Sequence, residues 1–176
     1  ALHLSIALIM LLILLWYIFD IYEVTKFNIK ISQFLTTSFL LLIFLQIILG
    51  AFLAGLNGGL IYNSWPDMNG LLYPDDTKID DYLTLGFLSN ASIIQFYHRL
   101  TGYLILFFLL LLNFFYFKNK LDIRFIMLFN IAILLQVILG VMALLSGVEI
   151  KYASLHQIGS IFVLSSYLVI YFKNSN

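Results

Sequence analysis

Long apolar runs separated by short polar stretches dominate the chain. Five stand out: Leu2 to about Phe19, Thr36 to Leu56, Ile94 to Phe117, Phe125 to Leu145 and Leu155 to Phe172. Each is close to the roughly 20 residues that a helix needs to cross a bilayer. They are apolar around their whole circumference, which excludes amphipathic surface helices, and none shows the alternation of a membrane barrel strand. Backbone groups in lipid must satisfy one another, so these runs predict helices. The fold class expected is all-α, a polytopic transmembrane helical bundle with five spans.

Composition narrows the field. With 62% hydrophobic and 10% charged residues, the chain has less than half the charge density of an ordinary soluble domain, and a water-soluble globular protein is excluded. Nine basic residues balance nine acidic ones, with no basic stripe, so no nucleic-acid partner is expected. Cysteine is absent, which removes disulfides, thiolate nucleophiles and iron–sulfur ligation. The strong nitrogen ligands are His3, His98 and His156. The chain opens inside an apolar run at Ala1-Leu2-His3-Leu4 without a basic segment before it. That is no signal peptide, and it reads as a piece of a longer protein with helices upstream.

Linker charges orient the bundle. Lys26, Lys30, Lys118, Lys120, Arg124 and Lys173 fall on one side, and Lys78, Arg99 and Lys151 on the other. The positive-inside rule makes the first side cytoplasmic, or matrix-facing in a mitochondrion, and the long 57–93 loop external. The first, third and fifth spans then start at the outer face, and each carries a histidine near its start.

An internal repeat accompanies the histidines. Leu45-Gln46-Ile47-Ile48-Leu49-Gly50 recurs ninety residues later as Leu135-Gln136-Val137-Ile138-Leu139-Gly140, and the unit is a helix pair: a Gln-containing helix, an external loop, and a returning helix with a histidine near its start. The first loop is about thirty residues longer. The glycines read as packing residues that let helices approach, and the two glutamines as helix glue without chemistry.

Each histidine has a small residue one turn deeper: Ala7 after His3, Gly102 after His98, and Gly159 and Ser160 after His156. A macrocycle held edge-on between helices needs an axial imidazole and a strip free of bulky side chains beside it. His98 with Gly102 and His156 with Gly159 supply both, and they could clamp one iron from opposite faces. An isolated histidine at this depth reads as an interfacial, snorkelling residue. Three at matched depth above small residues favour ligation. Zinc is disfavoured because no third ligand lies at helical spacing. Arg99 could pair with a propionate or anchor a headgroup. Tyr62, Trp65, Tyr73, Tyr97, Tyr103 and Tyr152 read most simply as an interface belt, and their rings could also cover a macrocycle. The Gly- and Asn-rich stretch from Asn57 to Gly70 reads as ordered turns stopped at Pro66.

At this point the residues resemble a known family. Ala51-Phe-Leu-Ala-Gly55-Leu-Asn-Gly-Gly-Leu-Ile-Tyr62-Asn63-Ser-Trp-Pro66-Asp-Met68-Asn-Gly70, then Gln95-Phe-Tyr-His98-Arg99-Leu-Thr-Gly102, then Leu155-His156-Gln157 resemble heme A synthases of the proteobacterial and mitochondrial type. The resemblance implies the last five helices of an eight-helix, pseudo-symmetric protein. Residues 1–33 would be the last helix of the N-terminal half plus the inner linker, and residues 34–176 the C-terminal, heme-binding half. His98 and His156 would ligate a b-type heme, the cofactor, with Arg99, Gly102 and Gly159 beside it. His3 would serve the substrate heme O, so all three histidines are candidate iron ligands. The catalytic residues of the family's first half have no counterpart in this stretch.

The implied reaction oxidises a ring methyl of heme O to a formyl, with oxygen from water, giving heme A for cytochrome oxidase. Implied partners are heme O, membrane lipid, heme O synthase, an electron-transfer protein and a second copy of the chain; the implied location is the bacterial or mitochondrial inner membrane. Two other readings stay open: a bis-histidine electron-transfer cytochrome, and a transporter or assembly scaffold, against which counts the lack of charge at the centre of every span.

Overall fold

The computed structural model describes residues 1–175, with five long helices. They are α1 (Leu2–Ile21), α2 (Gln33–Gly55), α3 (Ala91–Lys118), α4 (Ile123–Leu145) and α5 (Ile150–Asn174). Each is long and apolar enough to cross a membrane. No strand forms among the described residues; beside the helices are three short 3₁₀ turns in the loop between α2 and α3. The all-α, five-span expectation holds.

Helices α2 to α5 all start before their apolar runs, and α3 and α5 show why. The side chain of Asn90 accepts from the amides of Ser92 and Ile93 at 3.0 and 3.2 Å, capping α3 one turn before the run at Ile94. Helix α5 begins at Ile150 although its first turn contains Lys151. Hydropathy marks where lipid begins and hydrogen bonding marks where the helix begins; the two differ by a turn in each case.

The helices form two antiparallel hairpins, α2 with α3 and α4 with α5, joined through α2 and α5, with α1 lying along α5. At the inner ends the packing is dense. Phe39, Phe129 and Tyr167, from α2, α4 and α5, are fully buried and meet with ring centroids 4.9–5.7 Å apart. The Tyr167 hydroxyl donates to the Thr36 carbonyl at 2.7 Å, so the aromatic body packs while its polar tip is satisfied. Asn113 and Asn130 exchange amide hydrogen bonds of 3.0 and 2.9 Å between α3 and α4.

The inner linker is tied down as well. Lys26 donates to the Phe172 carbonyl at 2.9 Å and Lys30 to the Lys173 carbonyl at 3.3 Å, placing cations on the exposed carbonyls at the C-terminal end of α5. Asn174 closes the arrangement with paired bonds to the backbone of Ile31 at 2.7 and 3.0 Å. The inner end is thus a fixed floor, and the outer ends of the hairpins carry the polar residues.

Candidate heme-ligating site

His98 lies seven residues into α3 and His156 six residues into α5. At about 1.5 Å per residue the two sit at matched depth, roughly 10 Å below the outer helix starts. Their rings face one another across the two hairpins, centroids 6.4 Å apart and planes at 76°. His3 is not brought to them: it is exposed in the first turn of α1, and among the described residues no ring contact or hydrogen bond joins it to either. Beside it, Leu4 of α1 and Ser154, Gln157, Ile158, Ser160 and Ile161 of α5 line a cleft of 290 Å³.

The internal repeat builds the walls of the site. A Cβ on Gly50 would stand 3.2 Å from Cε1 of His98, and one on Gly140 would stand 2.8 Å from Cε1 of His156. Each glycine is therefore the recess that receives the imidazole edge of its own hairpin partner. One turn earlier stands the glutamine. The Nε2 of Gln46 lies 3.3 Å from Nε2 of His98, and the Oε1 of Gln46 accepts from the Thr101 hydroxyl. Gln136 instead donates to the main-chain oxygen of His156 at 2.7 Å, while the main-chain oxygen of Gln136 meets Nδ1 of His156 at 3.0 Å.

These two glutamines, assigned no chemistry from sequence, are the polar neighbours of the histidines. The available signal was the co-occurrence of repeat and histidine within one helix pair. Gly102 and Gly159, expected beside a macrocycle, stand against the glutamines: a Cβ on Gly102 would lie 3.5 Å from Nε2 of Gln46, and one on Gly159 would overlap Oε1 of Gln136.

Arg99 turns into the loop between α2 and α3. It donates to the carbonyls of Ser64 and Tyr62 at 3.0 and 2.9 Å and to that of Asp67, so three of its donors hold loop backbone. Gln95, fully buried, donates to the same Tyr62 carbonyl at 2.9 Å. Tyr62 is no lipid-facing belt residue. It is 3% exposed, and its hydroxyl donates to Asp75 and Asp76 at 2.6 and 3.0 Å, because the loop folds back over it. Burial, then the two carboxylates, raise its pKa. The Ser64 hydroxyl, 2.6 Å from the Asp67 carboxylate, is the main cause of that group's lowered pKa. The loop is a built lid above the histidines, as its Gly- and Asn-rich turns suggest.

The donor set can be tested for fit. Two imidazoles on opposite sides of one metal ion, with metal–nitrogen bonds of roughly 2 Å, have centroids about 6 Å apart, close to the spacing between His98 and His156. Five buried side-chain polar atoms lack partners among the described residues, and four of them surround this site: Nδ1 of His98, Nε of Arg99, and Oε1 of Gln95 and Gln136. Unpaired buried polar atoms are uncommon in packed protein and gather where something is bound. No three His, Cys, Asp or Glu side chains converge among the described residues, so a zinc site of ordinary make-up is not formed. The pair fits an iron whose remaining ligands come from a macrocycle.

Fold and site together define a polytopic helical membrane protein in which two repeated hairpins oppose two imidazoles beneath a folded loop. Comparison with known proteins names the family. The cytochrome oxidase assembly protein family matches residues 1–168, and the chain belongs to it. It is similar to the heme A synthase of Pelagibacter ubique (strain HTCC1062), with 56% identity over all 176 residues and 52% of that protein. Similarity extends to the heme A synthase of Wolbachia pipientis wMel, 36% identical over 96% of this chain and 48% of the relative. The Rickettsia felis heme A synthase is 36% identical over 98% of this chain and 53% of the relative. The chain spans about half the length of these curated relatives. No solved structure matches it.

Proposed function

We propose that this chain is the cofactor-holding part of a heme A synthase, which oxidises a ring methyl of heme O to a formyl with oxygen from water. The observation that carries the reading is the pair of opposed imidazoles of His98 and His156, 6.4 Å between centroids, at one depth in a family member similar to heme A synthases. His98 and His156 would hold the iron of a b-type heme, which supplies one-electron redox chemistry at a potential set by its axial ligands and surroundings.

The chain's own contribution is positional. Gly50 and Gly140 admit the imidazoles between close-packed helices, and Gln46 and Gln136 bear on their polar atoms. The loop pinned by Arg99 and Gln95 limits water from the outer side, which sharpens electrostatics at the site. His3, beside the cleft between α1 and α5, would contact the substrate heme O, with the remaining substrate ligands outside this chain. A bacterial inner membrane, supply of heme O by heme O synthase, an electron-transfer partner and self-association complete the proposal.

The test is made on the full-length protein supplied with heme O. Extracted pigment should contain a formyl-bearing heme, and bound b-type heme should be lost in His98→Ala and His156→Ala. Heme O recovered unchanged beside an intact b-type spectrum would assign an electron-transfer cytochrome instead.

A further inference from the structure

The two hairpins hold their imidazoles by different contacts. We propose that both contacts select the same tautomer, and that Thr101 and Gln46 are positioning residues that keep the Nε2 lone pair of His98 free for a metal. This rests on the reading of His98 and His156 as axial ligands.

In the α4–α5 hairpin, Nδ1 of His156 lies 3.0 Å from the main-chain oxygen of Gln136. A carbonyl only accepts, so Nδ1 carries the proton and Nε2 keeps its lone pair. In the α2–α3 hairpin the corresponding carbonyl, that of Gln46, bears on the His98 ring without a hydrogen bond of ordinary geometry to the buried Nδ1, and the ring's one hydrogen bond among the described residues joins Nε2 to the Gln46 amide nitrogen, 3.3 Å away. An amide nitrogen only donates, so the facing ring nitrogen is the unprotonated one and the proton again sits on Nδ1.

Whether Gln46 shows its nitrogen or its oxygen to the ring depends on Thr101, whose hydroxyl donates to Oε1 of Gln46. That hydroxyl also reaches the carbonyls of Tyr97 and His98 at 2.8 and 3.2 Å. Carbonyls inside a helix already accept the amide proton four residues on, whereas Oε1 of Gln46 has no other donor among the described residues. The hydroxyl proton therefore serves the amide, and the amide serves the ring. A metal taking the lone pair replaces one hydrogen bond and needs no proton transfer first.

The sequence position of this device is telling. Counted from its histidine, Thr101 occupies the place that Gly159 holds in the second hairpin. With no hydroxyl there, Oε1 of Gln136 is unpartnered, and the backbone fixes the tautomer instead.

The experiment compares Thr101→Val, Thr101→Ser and Gln46→Leu, with His98→Ala as reference, in the full-length protein purified with its bound heme. The readout is the spin state by electron paramagnetic resonance and absorption. Thr101→Val keeps the volume and removes the hydroxyl, whereas Thr101→Ser keeps the hydroxyl and loses a methyl. Thr101→Ser should keep the low-spin, doubly ligated signal. Thr101→Val lets the amide turn its oxygen to Nε2, and the high-spin fraction should rise several-fold. Gln46→Leu, which offers the ring no donor, should raise it as well. Low-spin spectra in Thr101→Val and Gln46→Leu, alongside conversion in His98→Ala, overturn the proposal and leave axial ligation standing. An unchanged low-spin signal in His98→Ala overturns both.

Discussion

The α2–α3 and α4–α5 hairpins carry the same Gln-x-x-x-Gly helix and the same returning histidine, yet they differ in the residues that follow the histidine. In the first hairpin His98 is followed by Arg99 and, two residues on, by Thr101; in the second, Gln157 and Gly159 take those places. The differences match the loops. Arg99 has the carbonyls of a long lid to bind, whereas residues 146–149 form a tight turn above the second hairpin. Thr101 gives the Gln46 amide a partner that Gly159 cannot give to Gln136. The backbone recess for the imidazole is common to both halves, and the polar setting of each ring has diverged.

The comparison can be broken most directly at the rings. His98→Ala and His156→Ala should each remove nearly all b-type heme from the full-length protein, read as heme per polypeptide, whereas His3→Ala should keep it and disturb substrate heme. Retained heme in either of the first two would mean that the hairpins do not act as a pair. The recesses come next. Gly140→Ala sets a Cβ 2.8 Å from the His156 ring, against 3.2 Å from His98 for Gly50→Ala. Overpacking of this kind costs about 1–3 kcal/mol, so the Gly140 variant should melt at the lower temperature in detergent. Gly159→Ala should likewise cost more than Gly102→Ala, and equal melting points would show that the recesses are interchangeable.

The lid offers a smaller effect confined to the first hairpin. Tyr62→Phe removes the bonds to Asp75 and Asp76 and should cost about 1–2 kcal/mol, seen as faster hydrogen exchange in residues 62–76 with the α4–α5 turn unchanged. The smallest effect lies in that turn. Val148 has φ of 63°, a left-handed conformation that burdens a β-branched side chain. Val148→Asn should raise the melting point by the equivalent of about 1 kcal/mol. No gain there would place the cost of the turn elsewhere, for instance in the packing of Val148 on Gly59.

Much of this was legible in the chain. The apolar runs predicted the five helices, and the positions of the histidines relative to the helix starts predicted that His98 and His156 share a depth. Helix boundaries were less legible, because Asn90 caps α3 through hydrogen bonds that hydropathy does not register. Tyr62 was misassigned to the membrane interface, since an aromatic residue near a span reads the same whether lipid or a folded loop covers it. Arg99 carried two readings from sequence, and its observed partners, the loop carbonyls, belong to neither.

The sequence by itself determined the number of crossings and the repeat, because the lipid solvent imposes a length that can be counted along the chain. Only the tertiary structure decided which atoms face the imidazoles. That depends on how closely α2 approaches α3 and α4 approaches α5, a matter of helix rotation and of recesses a single Cβ would fill, and residue spacing along one helix contains no information about its rotation against another.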